Sequence, residues 1–352
     1  MPPDSTWAGL TDAYLAGRAV AAASAVLDSE PGRMTDDARA VLADWRHAAR
    51  KGPRADTERA LRRVQATALL PLEILLSVRM PATPSPRLQA LERISRDACD
   101  LVVEERVAPP DLTPRLRAFS DWCRVGLQQA LVAMARYPEY QQASGAFGPS
   151  RDVVQAAAEH HFLRGLAFET QARLAEEPGV GAGSRVEAPQ ARAPFIAEHL
   201  EAARRQYERA LVLAPSHQEA TLRLARVHLE SGRHESGREL LARLSTEPCA
   251  SVACGLAWLF TAQMQAAAGD AAAAASYRKA AAVAGVSRSA RLGLMAFLLR
   301  TGNEAAAASV IDGFTHEGAA VGTPDDAWAM YLSGQRLDPE LIIRSMKALL
   351  VP

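Results

Sequence analysis

Apolar residues in "EATLRLARVHLESGRHESGRELLARL", residues 219–244, fall at Leu222, Leu224, Ala225 and Leu229, pause, and resume at Leu240, Leu241 and Leu244. Recurrence every three to four residues is the period of a helix with one buried face. The polar run "ESGRHE" interrupts it, and Gly232 stands where a helix end favours a left-handed residue. The pattern predicts a helix, a tight turn and a second helix. The same shape recurs in "GLAWLFTAQMQAAAGDAAAAASYRKAAAVAG", residues 255–285, broken at "AGD". It recurs again in "SARLGLMAFLLRTGNEAAAASVIDGF", residues 289–314, broken at "TGN". The glycines of the three breaks, Gly232, Gly269 and Gly302, lie 37 and 33 residues apart.

Upstream, "ARRQYERALVLAP" places Ala203, Tyr207, Ala210 and Pro215 along one helix and ends it at the proline, which cannot continue an α-helix. Its partner is predicted to be "VVQAAAEHHFLRGLAFETQARLAEE". This pair resembles a tetratricopeptide unit, with Gly165 and Phe168 at its glycine and tyrosine positions; the resemblance implies that small residues let two helices approach and that the Tyr207 ring fills the gap between neighbouring hairpins. Between these helices lies "PGVGAGSRVEAPQARAP", residues 178–194, predicted to be a solvated inserted loop.

A period near ~34 residues with two helices per unit resembles the tetratricopeptide repeat. Around Gly232, Leu224, Ala225 and His228 match its leucine, glycine and tyrosine positions, and Gly237 and Leu241 its small and aromatic positions on the second helix. Leu294 and Ala307 match in the unit at Gly302. Tyr277 and Ala280 match in the unit at Gly269 if its turn is one residue shorter. The resemblance implies an all-α protein, an α-solenoid of helical hairpins over 151–352, with an irregular helical N-terminal half over 1–150 of degenerate hairpins.

In that half, Trp7, Leu10 and Tyr14 stand at first-helix spacing, and "AVAAASAVLDSEPG" reads as a short second helix ending at Pro31. Further helices are expected at 35–50, 55–80, 85–107 and 112–137, one of them kinked or broken at Pro71. The boundary is placed in "YPEYQQASGAFGPS", 137–150. At the other end, Asp338, Pro339 and Glu340 signal a helix start. The stripe Leu341, Ile342, Met346, Leu349 and Leu350 then reads as a helix capping the open end of the array.

Composition agrees with an all-helical reading. Hydrophobic residues make up 49% of 352, aromatics only 5%, and the apolar excess is largely alanine, the best helix former. Forty basic and forty acidic residues cancel, so no net field draws the chain to nucleic acid or anionic lipid. The basic stretch at 45–64 is interrupted by Asp56 and Glu58 and reads as a solvated surface rather than a nucleic-acid patch. Cys99, Cys123, Cys249 and Cys254 form no Cys-x-x-Cys pair and are expected to be buried free thiols, with Cys249 and Cys254 on different faces of one helix. The longest apolar stretch, "ATALLPLEILLSV" at 66–78, is too short to span a bilayer and contains Glu73. No leader is evident, so a cytoplasmic location is the default expectation, with a periplasmic or secreted one if a signal peptide has been removed. "PDDAWAMYLSGQ" looks like the closing segment of tetratricopeptide proteins exported by some bacteria, which makes a cell-envelope assembly role the alternative.

The chemistry-bearing motifs are sparse. "GVGAGS" at 179–184 lacks the preceding strand of a phosphate loop, and adjacent His160 and His161 cannot share a helix face as zinc ligands would. No nucleophile elbow or phosphate-binding loop appears. No catalytic residue, metal or cofactor is therefore expected; an enzyme with a site in the N-terminal half is the competing class. By family resemblance, groove-facing residues map to Glu219, Leu222, Arg226 and Leu229, then Leu259 and Gln263, then Leu292, Ala296 and Leu299. The family's lysine and asparagine carboxylate clamp is not reproduced, since the single asparagine, Asn303, lies in a turn. The implied function is a non-catalytic scaffold holding a protein or peptide in a concave groove, with apolar anchors and an acidic group meeting Arg226.

Overall fold

The computed structural model describes residues 6–51, 53–77, 85–102, 111–145, 153–176, 189–316 and 326–351. These residues form seventeen helices and no strand. The chain divides into two compact units, residues 1–163 with 338–352, and residues 164–337.

The second unit holds the array. Helices α8 (Val154–Glu176) and α9 (Pro189–Leu213) are followed by α10 (Gln218–Glu230) and α11 (His234–Leu244). Then come α12 (Val252–Ala267) with α13 (Ala273–Ala281), and α14 (Ser287–Arg300) with α15 (Glu304–His316). The three predicted breaks fall between the two helices of the last three pairs, and Gly232, Gly269 and Gly302 adopt φ of +75°, +71° and +74°. That left-handed backbone ends each first helix, because glycine alone reaches it without a Cβ clash. Of the expected inserted loop, residues 189–194 are already helix α9, and the rest, with "GVGAGS", lies outside the described residues.

Close approach explains the small residues. A Cβ on Gly165 would stand 2.6 Å from the Tyr207 ring, and one on Gly293 would stand 2.4 Å from the Tyr277 ring. A Cβ on Gly237 would meet the Leu229 side chain at 2.7 Å. Tyr207 thus packs inside its own hairpin, against α8, rather than between hairpins as expected. It is Tyr277 of α13 that reaches forward to the next pair, onto Gly293 of α14.

The first unit contains α1 (Trp7–Leu15), α2 (Ala19–Asp28), α3 (Pro31–Lys51), α4 (Arg54–Ser77), α5 (Pro86–Val102), α6 (Thr113–Ala133) and α7 (Tyr137–Gly145). Trp7, Leu10 and Tyr14 are buried. The Trp7 indole donates to Thr67 at 3.2 Å and the Tyr14 hydroxyl to Glu73 at 2.8 Å, which fixes α1 on α4. Pro31 opens α3 instead of closing α2. The expected boundary segment 137–150 is helical to Gly145, and the two units part at residues 163 and 164. Pro71 does not break α4, which runs through it. Proline brings no N–H to the Thr67 carbonyl four residues back; Ser95 of α5 donates to the neighbouring Ala68 carbonyl at 2.9 Å.

Two further expectations are corrected. Helix α17 (Leu341–Ala348), capped at Glu340 rather than Asp338, belongs to the first unit. Ile342 and Met346 are buried against α4 and α6. Gln65 of α4 receives the Val351 N–H at 3.0 Å and donates to the Leu349 carbonyl at 3.2 Å, and Lys347 pairs with Glu73 at 2.6 Å. An apolar stripe states that a face must be covered, not by what.

The cysteines are not free thiols: Cys99 pairs with Cys123, and Cys249 with Cys254, at Cα separations of 6.0 and 5.8 Å. Cys249 precedes α12 instead of lying on it, so the helical facing rule that argued against pairing does not apply. The 24-residue spacing of the first pair corresponds to roughly 3 kcal/mol of denatured-state entropy. Alkylation of the unfolded, unreduced protein is expected to leave all four cysteines unmodified in the intact mass. Four added alkyl groups would show that the thiols are free.

A covered face on the first helices of the array

The residues predicted to line an open groove do not share one environment. Glu219, Leu222 and Leu259 are buried. Leu229, Arg226 and Gln263 are intermediate, and Leu292, Ala296 and Leu299 are exposed. Buried Leu222 and Leu259 belong to the core cluster and cannot meet a ligand. A segment that follows α15 also lies on these helices: the N-cap Asp326, the short helix α16 (Ala327–Leu332) and residues 333–337, of which Arg336 reaches Glu219 at 3.7 Å.

Each contact of that segment has a local cause. Asp326 accepts from the Ser289 amide at 3.0 Å and hydroxyl at 2.9 Å, and from its own Trp328 amide at 2.8 Å. The Ala327 amide donates to the Gly285 carbonyl at 2.8 Å. Trp328 and Tyr331, one turn apart, project together onto Phe260 of α12, edge to face at 5.2 and 5.5 Å. Tyr331 is fully buried, with the Arg223 and Arg226 guanidiniums over its ring at 4.5 and 5.4 Å. Gly334, at φ +75°, lies so close to α8 that a Cβ would be 2.7 Å from the Thr170 hydroxyl.

Beneath the segment runs an ion-pair network that sequence reasoning missed. Arg223 is fully buried. It donates to Glu219 at 3.1 Å, to Glu169 at 3.4 Å and to the Gln335 carbonyl at 2.7 Å. Arg173 pairs with Glu169 at 3.2 Å and donates to the carbonyls of Tyr331 and Leu332. The Tyr207 hydroxyl donates to Glu169 at 2.5 Å. Burial alone would push the Glu169 carboxyl up; Arg173, Arg223, Arg226 and the Tyr207 hydroxyl outweigh it and hold the group below its ordinary range. Burial, with the Glu169 charge, pushes Tyr207 and Tyr331 upward, so both stay protonated. Arg226, expected to meet an acidic ligand, already pairs with Glu230 and stacks on Tyr331. A hint was available in the sequence: Glu219 and Arg223 stand four apart on one helix face, and Glu169 with Arg173 repeats the spacing on α8.

What stays open is α14. Leu292 and Leu299 are 46% and 50% exposed, Ala296 is exposed between them, and the spacing puts all three on one face. The helix "SRSARLGLMAFLLR" carries Arg288, Arg291 and Arg300 and no acid, so this apolar face has a basic border. Among the described residues, no group of three or more His, Cys, Asp or Glu could hold a metal ion, and no helix is long and apolar enough to cross a membrane.

Residues 195–247, spanning α9 to α11, match the tetratricopeptide repeat family model. No curated protein matches this chain. Solved structures of IFIT1 are similar at low identity. The human IFIT1 dimer with m7Gppp-AAAA is 14% identical, with 89% of this chain and 81% of that one covered and a TM-score of 0.34. A monomeric IFIT1 mutant with Gppp-AAAA is 16% identical over 97% and 80% of the two chains, at a TM-score of 0.38. The human IFIT1 dimer with PPP-AAAA is 15% identical over 98% and 86%, at 0.36. Resemblance of that degree transfers no ligand to this chain.

Proposed function

We propose that this tetratricopeptide repeat protein is a non-catalytic scaffold that binds a protein partner through the outward face of α14. The stripe of Leu292, Ala296 and Leu299 carries this reading: among the described residues it is the exposed part of the predicted groove. Two leucines about half exposed on one helix face form the apolar centre of a helix-in-groove or helix-on-helix contact. Arg288 and Arg300, both exposed, favour acidic flanks on the partner. The partner is therefore an amphipathic segment with apolar anchors and an acidic margin.

The test is affinity capture from the native organism with the wild type and with Leu292→Asp/Leu299→Asp. Both positions are exposed, so stability is expected to change by no more than about 0.5 kcal/mol each. Capture of a specific partner is expected to fall at least about tenfold, since buried aliphatic anchors in interfaces are worth a kcal/mol or more. Equal capture by both proteins would overturn the assignment of α14.

A second reading concerns location. The paired cysteines favour an oxidising compartment, because disulfides persist in the periplasm or outside the cell and are rare in the cytosol. This supports the cell-envelope alternative. Fractionation of the native organism tests it, and recovery with cytosolic markers and with reduced thiols would rule it out.

A further inference from the structure

We infer that two copies of this chain associate through the outward face of α2, packed antiparallel about a two-fold axis near Ser24. The surface lies in the first unit and is independent of the α14 stripe.

Helix α2, "AVAAASAVLD", is apolar at eight of ten positions but buries only Ala22 and Val26. Helix α12, apolar at twelve of sixteen positions, buries nine residues. A helix that is apolar on every side is ordinarily covered on every side. On α2 the uncovered side holds Val20, 82% exposed, and Leu27, 44% exposed, with exposed Ala21 and Ser24 between them. Val20, Ser24 and Leu27 follow helical spacing and form one stripe. Among the described residues Val20 is the most exposed large apolar side chain.

The charges at the ends of the stripe select the occupant. Arg18 is the N-cap of α2 and Asp28 its last residue, and both are exposed. Among the described residues neither has an ion-pair partner. They stand five residues either side of Ala23, and Val20 and Leu27 flank Ala23 and Ser24 evenly. An antiparallel second copy therefore sets Arg18 against Asp28 of the other copy at both ends, whereas a parallel copy opposes like charges. Val20 meets Leu27 of the other copy, and Ala21 and Ser24 at the centre are small enough to let the helices close. Such order, in which each residue finds its counterpart twice, is what a two-fold interface requires. A bilayer surface is the poorer occupant. Interfacial helices border their apolar face with several Lys or Arg, whereas α2 has one arginine and runs into Asp28 and Glu30. A helix of ten residues is about 15 Å long. The contact is therefore at the low end of interface size, and the dimer is expected at about 10–100 μM rather than at nanomolar concentration.

Sedimentation equilibrium of the full chain over a concentration series tests this. The wild type is expected to be a monomer–dimer mixture, and Val20→Asp/Leu27→Asp to weaken dimerisation at least about tenfold. Arg18→Asp and Asp28→Arg each place like charges together and are expected to weaken it at least about threefold. An equimolar mixture of these two variants is expected to recover the wild-type affinity as a heterodimer, in which both opposed pairs are again of opposite sign. All four positions are exposed, so each variant is expected to keep the helical circular dichroism of the wild type. If the double aspartate variant does not fold, the mixing experiment decides. A wild type that stays monomeric to millimolar concentration, dimerisation that the aspartates leave unchanged, or a mixture no tighter than its components would each overturn the proposal. A monomeric chain that floats with phosphatidylethanolamine–phosphatidylglycerol vesicles, and loses this with Val20→Asp/Leu27→Asp, would give the face to a membrane and likewise overturn it.

Discussion

Replacing Arg223 with alanine is expected to destabilise the second unit by about 3–5 kcal/mol, the cost of breaking a buried ion pair from one side. Arg223 has no solvent exposure, and it is a hydrogen-bond donor to both Glu169 and Glu219. Its loss leaves buried Glu169 with Arg173 and the Tyr207 hydroxyl, and Glu219 with Arg336 at 3.7 Å, too little to offset the missing guanidinium. Surface pairs such as Arg238 with Glu235 offer the contrast, since both side chains are more than half exposed and such pairs are worth at most about 1 kcal/mol. The pH dependence separates this account from simple loss of packing. In the wild type, Glu169 titrates below its ordinary value of 4.5, so its contribution is fully present above that value and is lost as pH falls through the lower, folded one. In Arg223→Ala the strongest remaining influence on Glu169 is burial, which raises its pKa. Protonation of that acid then relieves the variant, so the gap between the two proteins should narrow as pH is lowered from neutral. Urea midpoints at several pH values measure this. A gap independent of pH would mean that the cost comes from the lost side-chain volume and not from the under-compensated charge.

Tyr207→Ala is expected to cost about 3–5 kcal/mol as well, by a different route. The ring is fully buried against Gly165, with its hydroxyl on Glu169. Alanine leaves a void beside a glycine that has no side chain to fill it. The reverse change makes the same point: Gly165→Ala places a methyl 2.6 Å from the ring and should cost about 1–3 kcal/mol through overpacking. Combined, the two changes should cost less than their sum, because the methyl enters space the ring has vacated; coupling of about 0.5–3 kcal/mol is expected for residues in direct contact. Strict additivity in thermal or urea unfolding would mean that the two residues do not share the gap. Val212, on the same helix and 80% exposed, is the control, and Val212→Ala should lie within about 0.5 kcal/mol of wild type.

The hairpins were legible because their signals are local. A glycine at each break, an apolar period on either side and a proline after α9 each act within a few residues. The role of Tyr207 was legible in kind, as a ring needing a small residue opposite, though the partner proved to be Gly165 of its own hairpin. The covered face was not legible. The segment that reaches Glu219, Arg223 and Phe260 lies far downstream in the chain, held partly through backbone carbonyls that leave no mark on side-chain pattern. On α14 the predicted residues Leu292, Ala296 and Leu299 are exposed among the described residues. Helix α17 shows the same limit. Its apolar stripe is plain, but period alone does not distinguish the end of the array from α4 and α6. The Cys249–Cys254 pair was misjudged because a helix was extended a few residues too far toward the N-terminus, and a facing rule was applied where no helix exists.

The left-handed glycines at the hairpin tips have a practical consequence. Added Cβ atoms at Gly17, Gly232, Gly269 and Gly302 would meet nothing within 4 Å, so each tip points into open space while the helices on either side are locked by their own packing. Those four corners are where the polypeptide can be lengthened, tagged or nicked with least disturbance. An evolving lineage could use them to acquire loops of new chemistry, and an engineer could use them to install reporters, without altering how one hairpin recognises the next.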